Sequence, residues 1–169
     1  MNRLVIVAIA FVLLSCDEVS DNPRDRYFNI LFRYGVGARN ELNSFENTYT
    51  KDLILDGTVK IRLVLSTDDF YAIEGKLQST GFFSFPDTLR PAVSDTPWYA
   101  IHPHSTYFFR VQTGANIKTL YCADSVYPEF FAYYRIRYEK LQEIVRFIHD
   151  RLSMKPEIQR LPPARGSYW

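Results

Sequence analysis

Two cysteines, three histidines and one adjacent pair of aspartates are the residues of this 169-residue chain best suited to chemistry. His102-Pro103-His104 sets two imidazoles at alternate positions, where they could share a metal ion if a carboxylate joined them. His149 is the third histidine, and the chain offers no evident full ligand set of the kind zinc or another transition metal requires. No metal or other cofactor is therefore expected, and His102 and His104 stand as the only candidates. Asp68 and Asp69 resemble a paired-carboxylate acid–base device, but successive helical residues point about 100° apart and cannot face one substrate together. Cys122, Asp124 and His149 supply the types for a nucleophile set, yet no G-x-S-x-G elbow surrounds a serine and no signature surrounds the cysteine. In Leu120-Tyr121-Cys122-Ala123 the thiol reads as a small buried strand residue, so no catalytic residue is assigned.

A second set of residues suits recognition. Phe82, Phe83, Phe85, Trp98, Tyr99 and Tyr107 bracket a stretch punctuated by Pro86, Pro91, Pro97 and Pro103. Of these, Phe83, Phe85, Trp98, Tyr99 and Tyr107 form the candidate binding surface, the rim of a groove for a protein, glycan or lipid. Aromatic rings bury large area, and Tyr and Trp keep a polar handle. The competing reading is that most of these rings fill the core, since aromatics dominate core energetics as well.

The elements that would position these residues follow from periodicity. Tyr27 to Tyr34 reads as a strand, punctuated by Gly35 and Gly37. Asn47 to Leu55 reads as another, joined through the hairpin signal Asp56-Gly57 to Thr58–Leu65, where Val59, Ile61 and Leu63 alternate with Lys60 and Arg62. Ser66 is placed as an N-cap, with Asp68 and Asp69 in the first turn where the helix dipole favours negative charge. The helix carries Phe70, Ile73 and Leu77 at core spacing and ends at Gly81. Regular structure is not expected again until about Ser105. Thr106 to Val111 and Ile117 to Cys122 then form a hairpin around Gly114-Ala115-Asn116. Leu141, Ile144, Val145, Ile148 and Leu152 mark a long amphipathic helix from about Phe130 to Met154. Pro156 halts it, and residues 156–169 are read as an extended tail.

The expected fold is therefore α+β: an antiparallel sheet of about five strands packed with two helices, as a single domain over residues 27–155. The 20 Lys and Arg nearly balance the 19 Asp and Glu, with no basic stripe, so a nucleic-acid partner is not expected. High aromatic content, 13 Phe and 12 Tyr, excludes disorder for most of the chain.

At the N-terminus, Arg3 precedes an unbroken apolar run from Leu4 to Leu14, the layout of a signal peptide over residues 1–15. A membrane-crossing helix needs about 20 apolar residues, more than this run supplies. Leu13-Leu14-Ser15-Cys16 resembles the lipobox of bacterial lipoproteins. That resemblance implies a diacylglycerol on the Cys16 thiol, cleavage before Cys16, and an acylated amine. Each buried methylene contributes about 0.8 kcal/mol, so two or three acyl chains such as palmitate would hold the protein to a membrane. With Cys16 lipidated, Cys122 is the one remaining thiol and no internal disulfide can form. Residues 16–26, polar and acidic, read as a flexible tether. Asp17 and Glu18 directly after the cysteine resemble an inner-membrane retention signal in enteric bacteria and a surface-export signal in Bacteroidota-type organisms, so both addresses stay open.

The body, with Ser66-Thr67-Asp68-Asp69 leading a helix into Phe82-Phe83, and Lys155-Pro156-Glu157 near the end, resembles a group of bacterial lipoproteins of unknown function. That resemblance brings no activity with it. The expectation is a lipid-anchored envelope protein, in the cell membrane or outer membrane and facing periplasm or cell surface, acting as a non-enzymatic binding or structural module. The alternative is an envelope hydrolase or metal-dependent enzyme built on the His102/His104 region.

Overall fold

The computed structural model describes residues 28–89, 103–124 and 132–168, with side chains of the last stretch from Tyr134. Strand β1 (Phe28–Tyr34) alternates strictly, with Phe28, Ile30 and Phe32 buried while Asn29, Leu31 and Arg33 face the other way. That period of two lets one face join a core and the other meet water. β1 is central: it pairs antiparallel with β2 (Asn40–Asn43) on one side and with β6 (Thr106–Thr113) on the other. β3 (Thr48–Asp52) and β4 (Thr58–Arg62) extend the first side, and β7 (Asn116–Ala123) extends the second. β5 (Thr88–Leu89) adds a short parallel edge on β7, giving the order β4-β3-β2-β1-β6-β7-β5.

The described chain is thus α+β, as expected, but its sheet has seven strands and is mixed rather than five and antiparallel. Asn40-Glu41-Leu42-Asn43 of β2 has one apolar residue and no strand pattern of its own; its strand state comes from pairing on both sides. β5 is too short to carry any pattern of its own.

Helix α1 (Thr67–Ser79) starts with a complete capping box: Ser66 Oγ accepts from the Asp69 amide, and the Asp69 carboxylate accepts from the Ser66 amide. Helix α2 (Ala132–Ser153) buries Leu141, Ile144, Val145, Ile148 and Leu152. Together with Ile73 and Leu77 of α1, these pack with Phe28, Ile30, Phe32, Leu42, Tyr49, Phe109, Val111 and Leu120 of the sheet in one core. A 3-10 turn at Phe82–Ser84 adds Phe82 to it.

Pro156 does not simply end α2. It occupies the first turn of a short helix α3 (Pro156–Gln159), where its missing N–H costs nothing. The tail beyond is docked, not loose. Arg165 and Ile54 form a parallel bridge, in which the Leu55 amide donates to Arg165 O (3.3 Å) and the Arg165 amide to Leu53 O (3.2 Å). The Arg165 guanidinium grips Asp56 through two contacts of 2.6 and 2.8 Å. Tyr168 donates its hydroxyl to the buried Asp52 carboxylate, and Arg39 donates to Tyr168 at 3.1 Å. The turn so clasped holds Ile54 at φ +65°, a strained state for a β-branched residue that persists only under such external contacts. Gly166, at φ +88°, sits where an added Cβ would come within 2.8 Å of Leu55. Deleting residues 162–169 should lower stability by about 2 kcal/mol from the two backbone hydrogen bonds alone, each contributing about 1 kcal/mol. Denaturant titration of the shortened chain measures it, and an unchanged midpoint would show that the tail contributes nothing.

Candidate functional site

The residues singled out by their chemistry disperse. Cys16, Trp98, Tyr99 and His102 lie outside the described residues. His104 is half-buried just ahead of β6. Among the described residues, no group of three His, Cys, Asp or Glu gathers as metal ligands. His149 packs its ring 4.3 Å from Tyr34 and 6.1 Å from Phe32, and its buried Nε2 has no hydrogen-bond partner. Burial pushes its pKa down, against a smaller upward pull from Asp150, as suits a neutral packing imidazole.

Cys122 is fully buried on the core side of β7, its Sγ 3.8 Å from the Tyr134 hydroxyl. Burial pushes the thiol up to about 12, the Tyr134 hydrogen bond opposes this and the Asp124 charge adds to it. The nucleophilic thiolate is therefore not formed near neutral pH. Tyr107, Tyr134 and Tyr138 beside it are also shifted up, chiefly by burial. This interior cluster of protonated phenols and thiol is packing with satisfied polar ends.

The aromatic surface expected around the proline-rich stretch needs correcting at two positions. Phe85 is 4% exposed and Tyr107 8%, so both rings belong to the core. Their alternation explains it: Tyr107, Phe109 and Val111 share the inward face of β6, and Phe85 follows the turn that carries Phe82 inward. Of that set, Phe83 keeps an exposed ring among the described residues, at 39%.

A different surface emerges from the sheet register. The helices pack on the face of Phe32 and Phe109, which leaves the outward residues in rows that cross the strands. One row runs Arg62, Thr48, Asn43, Leu31, Arg110, Thr119. The next, two residues along, runs Lys60, Thr50, Glu41, Arg33, Phe108, Tyr121. Tyr121 is 44% exposed, and Phe45, in the turn between β2 and β3, is 39% exposed with the Arg110 guanidinium 5.4 Å from its ring centroid. That spacing is a cation–π contact. Glu41 holds Arg33 at 2.7 Å and Glu46 holds Lys60 at 3.1 Å. Among the described residues no carboxylate pairs with Arg62 or Arg110. Such a face offers rings, hydroxyls and exposed guanidinium groups, which can hold a ligand.

Sequence reasoning missed this face, although its signal was present: Phe108 and Arg110 fall out of phase with the buried residues of β6, as Tyr121 does in β7. The chain matches no protein-family model, and comparison with curated proteins finds no significant match.

Proposed function

We propose that this chain is a lipid-anchored protein of the bacterial cell envelope, held in the cell membrane or outer membrane through Cys16, whose domain binds a partner without catalysing a reaction. The anchor reading rests on the apolar run Leu4 to Leu14 leading directly into Leu13-Leu14-Ser15-Cys16. The binding reading is carried by one observation: among the described residues no helix packs on the outer face of the sheet, which bears Tyr121, Phe45 and Arg110. A domain built only to fill space would put charge and small polar groups there, because exposed rings on a sheet face risk association with the wrong chains.

The test is intact-mass analysis of the protein from a bacterial membrane fraction beside a Cys16→Ser variant. The native chain is expected to begin at Cys16 with added acyl mass, and the variant to lose both the mass and the membrane association. A native chain without acyl mass would overturn the anchor and its address, leaving the binding face to be judged separately.

A further inference from the structure

We propose that the open sheet face binds an acidic polysaccharide, a polymer whose repeating carboxylate or phosphate groups meet Arg62 and Arg110 while its sugar rings lie on Tyr121 and Phe45. This deepens, and rests on, the reading of the domain as a binding module. Charge complementarity is the first argument. Arg33 and Lys60 are held by Glu41 and Glu46, whereas Arg62 and Arg110 are exposed and, among the described residues, have no carboxylate partner, so the described face presents net positive charge in a nearly neutral chain.

Spacing is the second. Arg62 and Arg110 stand in one row four strand intervals apart, or about 19 Å at the usual strand spacing. A single small anion cannot touch both; a polymer with charges along its length can. The third argument is the chemistry around them. Thr50 and Thr119 offer hydroxyl groups to sugar hydroxyls, and the phenol of Tyr121 offers a flat apolar face with a polar end to a pyranose ring. Arg110 is already positioned by Phe45, so less side-chain freedom is lost when an anion binds it. An anionic bilayer fits less well, because the segment that would run from membrane to β1 carries Asp17, Glu18, Asp21 and Asp25 against Arg24 and Arg26.

The experiment titrates the exported chain, as Cys16→Ser for solubility, with polygalacturonate and with a glycerol-phosphate polymer, using neutral dextran as control. Binding of at least one acidic polymer is expected, weakening as salt rises, with none to dextran. Replacing both Arg62→Gln and Arg110→Gln should weaken it about tenfold or more, and Tyr121→Ala should weaken it too, while Arg146→Gln on helix α2 leaves it within about twofold. Thermal melts confirm that these exposed-site variants stay folded. No binding to either polymer, or equal loss in the Arg146→Gln variant, overturns the proposal. Equal binding of polyglutamate, polyuridylate or phosphatidylglycerol vesicles through the same arginines overturns the glycan and keeps the face as a binding site. The lipidation result has no bearing on this titration, so the two readings fail independently.

Discussion

Asp69→Asn is expected to cost the domain about 3 kcal/mol, near the lower end for removing one partner of a buried ion pair, because its two cationic partners keep some solvent. Asp69 is 4% exposed and joins three elements. Its carboxylate closes the capping box with Ser66, accepting from the Ser66 amide at 2.9 Å and hydroxyl at 2.7 Å. It also accepts from Arg151 Nε at 3.2 Å, near the end of α2, and from Lys155 at the start of α3. Removing its charge leaves Arg151 and Lys155, 26% and 21% exposed, facing each other without a counter-ion. The pH dependence follows in sign. Burial alone would raise the carboxyl, but Lys155 and then the Ser66 contacts outweigh it and hold it down to about 2. A depressed folded-state pKa stabilises fully above the unfolded value near 4 and loses that stabilisation as pH falls through about 2. Allowing for screening of the half-buried cations, about 1–2 kcal/mol should disappear between pH 4 and pH 2 in the native chain and not in Asp69→Asn. Urea titrations of both chains across that window measure it; parallel curves would show that Asp69 is not the group that titrates.

Asp69 also shows where sequence reasoning stops. Its place in the first turn of α1 was legible, because Ser66-Thr67-Asp68-Asp69 before Phe70, Ile73 and Leu77 is a local signal. Its partners stand 82 and 86 residues away, and no local pattern announces them. The same division runs through the fold. β1, β4, the β6–β7 hairpin and the described part of α2 declare themselves through periods of 2 or 3.6. β2 exists because two neighbours pair with it, β5 because two residues lie along β7, and the tail is fixed by Arg165 reaching Asp56 across 109 residues. For the candidate site, residue type misled: aromatic rings beside prolines look alike whether they fill a core or line a groove, and Phe85 and Tyr107 fill the core. The phase of Arg110 and Tyr121 could be read in their strands, but their assembly into rows needed the register of the strands between β4 and β7.

Phe108 and Phe109 are adjacent in β6 and turn these arguments into one comparison. Phe109 is fully buried, stacked on Phe32 with centroids 4.4 Å apart and edge-on to Phe82 at 5.4 Å. Phe109→Ala removes that packing and leaves a cavity beneath the central strands, so a loss of about 3–5 kcal/mol is expected. That is a large share of the roughly 5–15 kcal/mol by which domains are stable. Phe108 points to the open face between Arg33 and Tyr121 and is only partly buried. Its loss leaves no closed cavity, and Phe108→Ala should cost under about 1 kcal/mol. Guanidinium chloride titration of the two variants reads the difference directly. A gap of that size means the outer face can be altered without unfolding the sheet, which is what a binding surface requires. Equal losses would mean that Phe108 is packed as deeply as Phe109, and the open face would lose its standing as the place where a partner docks.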